Sequence, residues 1–104
     1  MIDPSKLSQM MAQAQNMQRQ MQESLAKQRV EGSAGGGMVR VTINGAYECI
    51  EVKIDANVVD KDDVSMLEDL VRAAINDAAA RVEEVRVEQA RNMAGQMGLP
   101  EGLL

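Results

Sequence analysis

The chain contains no histidine, phenylalanine or tryptophan, and it has a single tyrosine, Tyr47, and a single cysteine, Cys49. Because histidine is the commonest general base and the commonest metal ligand, its absence excludes His-dependent catalysis. One cysteine cannot form an intramolecular disulfide or a Cys-rich zinc site, so a reduced cytosolic setting is the default. The sequence predicts no cofactor, no metal and no enzymatic activity.

Long apolar runs are also missing. No stretch of ~18 apolar residues exists, and the N-terminus lacks a basic segment followed by an apolar one. The sequence therefore predicts a protein that is neither secreted nor membrane-spanning. Its 104 residues predict a single domain over residues 1–96 with an aliphatic core. Gly98 and Pro100 predict a flexible tail over residues 97–104.

A long amphipathic helix is predicted over residues 4–28. Asp3 can cap it, and Pro4 suits its first turn. Such a helix is about 37 Å long, well beyond the ~13 Å radius of gyration of a compact domain of this size, so part of it must project or find a partner. Its apolar residues recur at spacings of three and four, and they are Leu7, Met10, Met11, Ala14, Met17, Met21 and Leu25.

Two or three short strands follow, predicted over residues 30–33, 38–44 and 46–55. The glycine-rich stretch 32–37 predicts a strand and a turn. Residues 38–44 alternate between apolar and polar, as a half-buried strand does. The dipeptide Asn44-Gly45 predicts a two-residue type I′ turn, which would pair Val39 with Ile50 and merge the apolar faces of the two strands.

A second long helix is predicted over residues 63–94, with a capping box at Ser65 and Glu68. The predicted fold class is α+β: a long N-terminal helix, a small antiparallel sheet and a long C-terminal helix. So small a sheet cannot cover both helices, and a homodimer would cover the remaining apolar stripe. The residues predicted to pack between helices or at the dimer contact are Leu7, Met10, Met17, Met21, Leu67, Val71, Ala74 and Ala78.

Charge is distributed unevenly along the chain. The formal net charge is -5, which weighs against non-specific attraction to nucleic acid. Residues 1–30 are nevertheless basic, whereas residues 48–69 are strongly acidic. From charge alone, the basic side chains are interpreted as part of an ordinary solvated surface. The methionines of the first helix are interpreted as helix-packing residues rather than as a groove for a partner.

Three further features receive structural interpretations. Residues 32–37 lack the Lys-Ser/Thr of a phosphate-binding loop and precede a strand. The acidic stretch 55–63 fails the calcium-loop pattern, so its carboxylates are interpreted as capping groups. Cys49 has no histidine to activate it and is interpreted as a half-buried apolar residue.

Several stretches together carry a family resemblance. They are Gly37-Met-Val-Arg-Val-Thr-Ile-Asn-Gly45, Ile54-Asp55, Met66-Leu-Glu-Asp-Leu-Val71 and Ala73-Ala-Ile-Asn-Asp-Ala-Ala79. With the Gln- and Met-rich first helix, they make the chain similar to the YbaB/EbfC family of nucleoid-associated DNA-binding proteins. The resemblance extends over almost the whole chain.

The resemblance implies a tweezer-like homodimer whose helical arms bind double-stranded DNA in the cytoplasm, at the nucleoid. It also implies nucleoid organisation, roles in gene regulation or recombinational repair, and recombination and repair proteins as partners. Few base-reading donors are present, so limited sequence preference is expected. The implied DNA-contacting residues are Lys6, Arg19, Lys27 and Arg29 first, then Arg81, Arg86 and Arg91. The alternative is a dimeric protein–protein adaptor with little or no DNA binding.

Overall fold

The computed structural model describes residues 3–96. Its elements are α1 (Pro4–Lys27), β1 (Val30–Ala34), β2 (Val39–Ile43), β3 (Cys49–Ile54), a 3₁₀ turn (Ala56–Val58) and α2 (Val64–Gln96). The predicted fold class, a three-stranded antiparallel sheet between two long helices in sequence, is confirmed. The tail predicted over residues 97–104 lies outside the described residues.

The sheet has the order β1-β2-β3, and β2 forms its centre. Val39 lies opposite Ile54, and Val41 lies opposite Val52. The two-residue turn and the Val39–Ile50 pair expected from the sequence are therefore wrong, because residues 44–48 form a longer connection and β3 begins only at Cys49. The register differs from the expected one by four residues, and an even shift keeps each side chain on its face, so the apolar faces still merge.

Asn44 explains the longer connection between β2 and β3. Its side-chain Oδ1 accepts hydrogen bonds from the backbone N–H of Ala46 and of Glu48, both at 2.9 Å. Its Nδ2 donates to Glu48 Oε1 at 3.0 Å, and the residue is buried. The positive φ that a turn requires falls on Tyr47 (62°). The Asn side chain thus organises a wide loop by bonding its own neighbouring backbone.

The core lies between the sheet and α2. Val39, Val41 and Val82 are fully buried, and α2 packs over β1 and β2. Close approach depends on Gly32, where an added Cβ would lie 2.2 Å from the backbone nitrogen of Ala78. Leu67, Val71, Ala74 and Ala78, four of the residues predicted to pack, contribute to this core.

β3 is an edge strand that α2 leaves uncovered. All six of its residues are exposed, including Val52 (49%) and Ile54 (42%). Cys49 is also exposed. The interpretation of Cys49 as half-buried is therefore wrong, because the helix covers only β1 and β2.

The residue that caps the N-terminus of α2 lies two positions before the expected one. The Asp63 carboxylate accepts a hydrogen bond from the backbone N–H of Met66 at 3.3 Å, directly before the first helical residue, Val64. Asp63 therefore has the geometry of an N-cap residue, and the capping box expected at Ser65 and Glu68 is wrong. Among the residues described, neither helix is long and apolar enough to cross a membrane.

Candidate nucleic-acid interface

The first helix projects from the rest of the protomer. Every residue from Asp3 to Gln20 is exposed, and the described chain extends over 71 Å with a radius of gyration of 19.9 Å. A compact domain of this length has a radius of gyration of about 13 Å. The sequence-based expectation that part of the first helix projects is confirmed. We call residues 4–20 the arm.

The arm is attached through the last two turns of α1. Leu25 is buried, and its carbonyl oxygen accepts a hydrogen bond from the backbone N–H of Gly45 at 2.8 Å. A Cβ on Gly45 would lie 2.8 Å from that same oxygen. Ser24 Oγ accepts a bond from Gln89 of α2 at 3.4 Å. The glycine that the sequence assigned to a tight turn thus permits the loop to approach α1.

Two basic side chains of α1, Arg19 and Lys27, lie on a different face from its methionines. Met17 and Met21 lie in line with the buried Leu25, at spacings of four residues, yet Met17 is 54% exposed. Arg19 is two residues from both methionines, so it lies about 160° away around the helix. Lys27 stands in the same relation to Leu25. Arg19 and Lys27 therefore lie on the face turned away from the attachment, whereas Lys6, four residues before Met10, lies on the apolar side of the arm.

The four basic residues expected to contact DNA first have different surroundings. Lys6 lies near the exposed start of the arm. Arg19 lies 3.9 Å from Glu23, with both side chains well exposed, so this pair leaves its charge accessible. Arg29 donates to the carbonyl oxygens of Ala26 (2.8 Å) and Gln28 (2.9 Å), which terminates α1. Arg29 therefore has a structural role beside its charge.

The three residues of α2 that were expected to contact DNA are engaged with the protomer itself. Arg81 lies 3.4 Å from Asp77, and Arg91 lies 3.7 Å from Glu88. Arg86 donates to the carbonyl oxygen of Gly45 at 2.6 Å. Its guanidinium also lies 5.3 Å from the centre of the Tyr47 ring, within cation–π range. Arg86 also lines a cleft with Met21 and Leu25 beside the base of the arm.

Tyr47 and Arg86 together hold the β2–β3 loop against α2. The Tyr47 hydroxyl donates to Glu83 Oε2 at 2.7 Å. This hydrogen bond is the main reason that the pKa of the Tyr47 phenol is raised above its ordinary value. The loop is the surface on which Leu25 rests, so these contacts help to set the direction in which the arm leaves the core.

The arm and the acidic segment attach at opposite ends of the sheet. Val30, which follows α1, pairs with Ile43 at the end of β2, whereas Ile54, which precedes the acidic segment, pairs with Val39 at its start. The acidic segment comprises Asp55, Asp60, Asp62 and Asp63. These four carboxylates therefore lie away from the base of the arm, whereas Glu84 and Glu88 line a cleft with Ser24 and Gln28 beside it.

Sequence reasoning overlooked two cations that the sheet brings together. Arg40 and Lys53 lie directly opposite each other on β2 and β3. The expected two-residue turn would have placed Cys49 opposite Arg40. The Arg40–Lys53 pair therefore follows only from the observed strand register. The only available signal was the side-chain bonding capacity of Asn44, which competes with a tight turn.

The fold defines the class of protein. It is an α+β protomer whose long first helix projects from the core and carries Arg19 and Lys27 on its free face. The chain matches the YbaB/EbfC DNA-binding family over residues 4–97 and belongs to that family. It is also similar to the crystal structure of the uncharacterized protein HP0035 from Helicobacter pylori. The TM-score is 0.71 at 29% sequence identity, and the similarity covers 89% of this chain and 98% of that one. The family supports a nucleoid-associated, DNA-binding role.

Proposed function

We propose that the protein binds double-stranded DNA as a homodimer through its α1 arms, with limited sequence preference, and thereby contributes to nucleoid organisation. Gene regulation and recombinational repair, with repair proteins as partners, are the processes in which such binding would act. The observation that carries the proposal is the projecting helix α1, whose free face presents Arg19 and Lys27 while the acidic segment attaches at the other end of the sheet.

Limited sequence preference follows if the cations of α1 carry the binding. Lys6 and Lys27 are flexible point charges suited to phosphate oxygens. Contacts to phosphates fix a protein on the duplex but carry no base information. Binding that rests on phosphate contacts would have similar affinity for many sequences and would weaken steeply with salt.

The homodimer has a candidate surface on the uncovered part of the core. Val52 and Ile54 share the face of Val39 and Val41, but α2 does not cover them. On the flank of α2, Val71 and Ile75 line an open cleft of about 390 Å³. Ile75 lies about 160° around α2 from Asp77, which bonds to Ser33 of β1, so it faces the β3 side. A second copy would cover this apolar surface and bring a second arm to the duplex.

Fluorescence anisotropy with a mixed-sequence duplex of about thirty base pairs tests the role of the arm. The variant carries Lys6→Gln, Arg19→Gln and Lys27→Gln, which remove charge and retain helix-forming side chains. We expect weaker binding, and a logarithmic salt dependence reduced by about one for each cation removed. Arg29 is left unchanged because it caps α1.

The matched control exchanges the cations without removing charge, as Arg19→Lys with Lys27→Arg. It should bind with nearly wild-type affinity, since phosphate attraction depends mainly on charge. Equal affinity of the wild type and the charge-removed variant would contradict binding through the arm. Absence of wild-type binding at both low and near-physiological salt would contradict DNA binding altogether.

A second candidate function is supported by the apolar side of the arm. Met10 and Met17 are 58% and 54% exposed, and methionine-rich helices suit adaptable protein contacts. A dimeric adaptor would use this stripe to bind a protein helix, with DNA binding secondary or absent. The anisotropy titration distinguishes the two, because an adaptor would not lose DNA affinity when the arm's cations are removed.

A further inference from the structure

Arg40 and Lys53 form a cationic pair on the face of the sheet that α2 does not cover. The chain neighbours of Arg40, Val39 and Val41, point into the core. Since side chains alternate along a strand, Arg40 points to the opposite, outer face. Lys53 lies directly opposite Arg40, and Ser33 of β1 completes the row. Both cations are exposed.

Two like charges placed directly opposite in a sheet oppose folding. Lys53 is partly compensated by Glu51, at 3.5 Å, with both side chains largely exposed. Within residues 3–96 Arg40 forms no ion pair. Its Nε donates instead to the carbonyl oxygen of Gly37 at 3.1 Å. That bond orients the guanidinium through a neutral acceptor and leaves its positive charge uncompensated.

The pair lines a cleft of about 230 Å³. Gly37, Met38, Ile54 and Asp55 also line it. The backbone N–H of Asp55 donates to the carbonyl oxygen of Met38 at 2.8 Å, so the β1–β2 turn adjoins the end of β3. The Asp55 carboxylate accepts a hydrogen bond from the backbone N–H of Asn57 at 2.9 Å, which engages one of its oxygens in capping the 3₁₀ turn. Among the residues that line this cleft, two cations therefore accompany one carboxylate, Asp55, which is already engaged, and Glu51 approaches Lys53 from outside that set.

We propose that Arg40 and Lys53 bind a phosphate group at this cleft. Arginine offers a planar fork of donors for phosphate oxygens, and lysine adds a point charge beside it. The phosphate would come either from the DNA backbone, which rests on the proposed function, or from free phosphate. In the first case the pair adds a contact at the end of the sheet remote from the base of the arm.

Two titrations followed by NMR test the proposal on the full chain. Inorganic phosphate and the thirty-base-pair duplex are added separately, and the Arg40 Nε–H resonance is monitored. Sodium chloride at equal ionic strength is the reference. We expect a saturable shift with phosphate that chloride does not produce, and a several-fold weaker response in Lys53→Gln. A duplex that shifts the same resonance identifies DNA as the source, whereas a shift with phosphate alone identifies free phosphate.

Anisotropy on three single variants completes the test. Arg40→Gln and Lys53→Gln should each lower the logarithmic salt dependence of DNA binding by about one for each protomer whose cleft contacts DNA, if DNA is the source. Lys61→Gln removes the same charge from the exposed acidic segment and should have a smaller effect. A phosphate response no larger than that to chloride would overturn the proposal. If the wild type fails to bind the duplex, DNA binding fails, and the phosphate titration alone decides the inference.

Discussion

α1 and α2 carry similar apolar stripes, but the stripe of α2 is buried and most of the stripe of α1 is exposed. α2 has a sheet beneath it, and its Ala74, Ala78 and Val82 are fully buried. In the described part of α1, only Leu25 is buried, and the arm is exposed throughout. An apolar stripe therefore becomes core only where a second layer lies opposite it. The stability of the protomer resides in the α2–sheet unit, whereas the arm is available for a partner.

The contact between Gly32 and α2 should be the most sensitive point of the core. Gly32→Ala places a Cβ against the backbone of Ala74 and Ala78, which cannot move without separating β1 from the helix. We expect a loss of about 3 kcal/mol in the free energy of unfolding, measured by urea denaturation at fixed protein concentration.

Gly95→Ala is the matched control for that experiment. Gly95 is exposed on α2 and has nothing within 4 Å of an added Cβ. Since alanine stabilises a helix more than glycine does, the free energy of unfolding of this variant should rise by about 0.5 kcal/mol. A Gly32→Ala protein as stable as the wild type would show that α2 does not pack on β1 at this distance.

The uncovered β3 face should behave as an interface between copies rather than as part of the protomer core. Val52→Asp introduces a charge into the surface proposed to pair, and we expect the dimer dissociation constant to rise about 100-fold, since burying an unpaired charge is costly. Sedimentation equilibrium measures it. Val59→Asp, an exposed apolar residue outside this face, is the control. Unchanged dimerisation in Val52→Asp would place the interface elsewhere.

Asn44 joins the two regions, because its loop supports the base of the arm. Asn44→Ala removes the acceptor for two backbone N–H groups and the donors to Glu48 and Ala26. We expect a loss of about 2 kcal/mol in the free energy of unfolding. The exposed Asn92→Ala should change it by a few tenths of a kcal/mol only. Equal losses in both variants would contradict the role of the Asn44 side chain.

Asp77 should give the smallest effect, confined to acid pH. The backbone N–H of Ser33 donates to its carboxylate at 3.0 Å, and this bond, with Arg81, lowers the pKa of Asp77 below 3.8. A lowered folded-state pKa stabilises the fold above 3.8, and this contribution is lost as the pH falls from there. The melting temperature of Asp77→Asn should therefore lie below that of the wild type at neutral pH, and the two values should converge in acid. Asp69→Asn, on the same helix, is the control, and a pH-independent difference for Asp77→Asn would contradict the account.

Local patterns in the sequence were sufficient for the helices but not for the contacts between strands. Asp3-Pro4 marks the start of α1, and the observed helix begins at Pro4 with the Asp3 carboxylate bonded to Ser5. The turn at Asn44-Gly45 could not be predicted, because the glycine serves a tertiary contact with Leu25 and the positive φ falls on Tyr47. The edge position of β3 likewise depends on where α2 lies.

The candidate site was predictable only in part. The exposed length of the arm follows from a helix longer than the domain that holds it. The basic residues of α2 could not be separated from structural ones by sequence, because the bond of Arg86 to Gly45 joins positions 41 residues apart. The Arg40–Lys53 pair required the strand register. Charge patterns thus identify a region, and tertiary contacts decide which cations remain available.

Hydrogen–deuterium exchange with and without a thirty-base-pair duplex tests the central claim most directly. If the arm contacts DNA, amides of residues 4–20 should exchange more slowly when the duplex is present, while those of the buried β2 residues Val39 and Val41 should not change. Slower exchange elsewhere with no change over residues 4–20 would contradict the assignment of DNA contact to the arm.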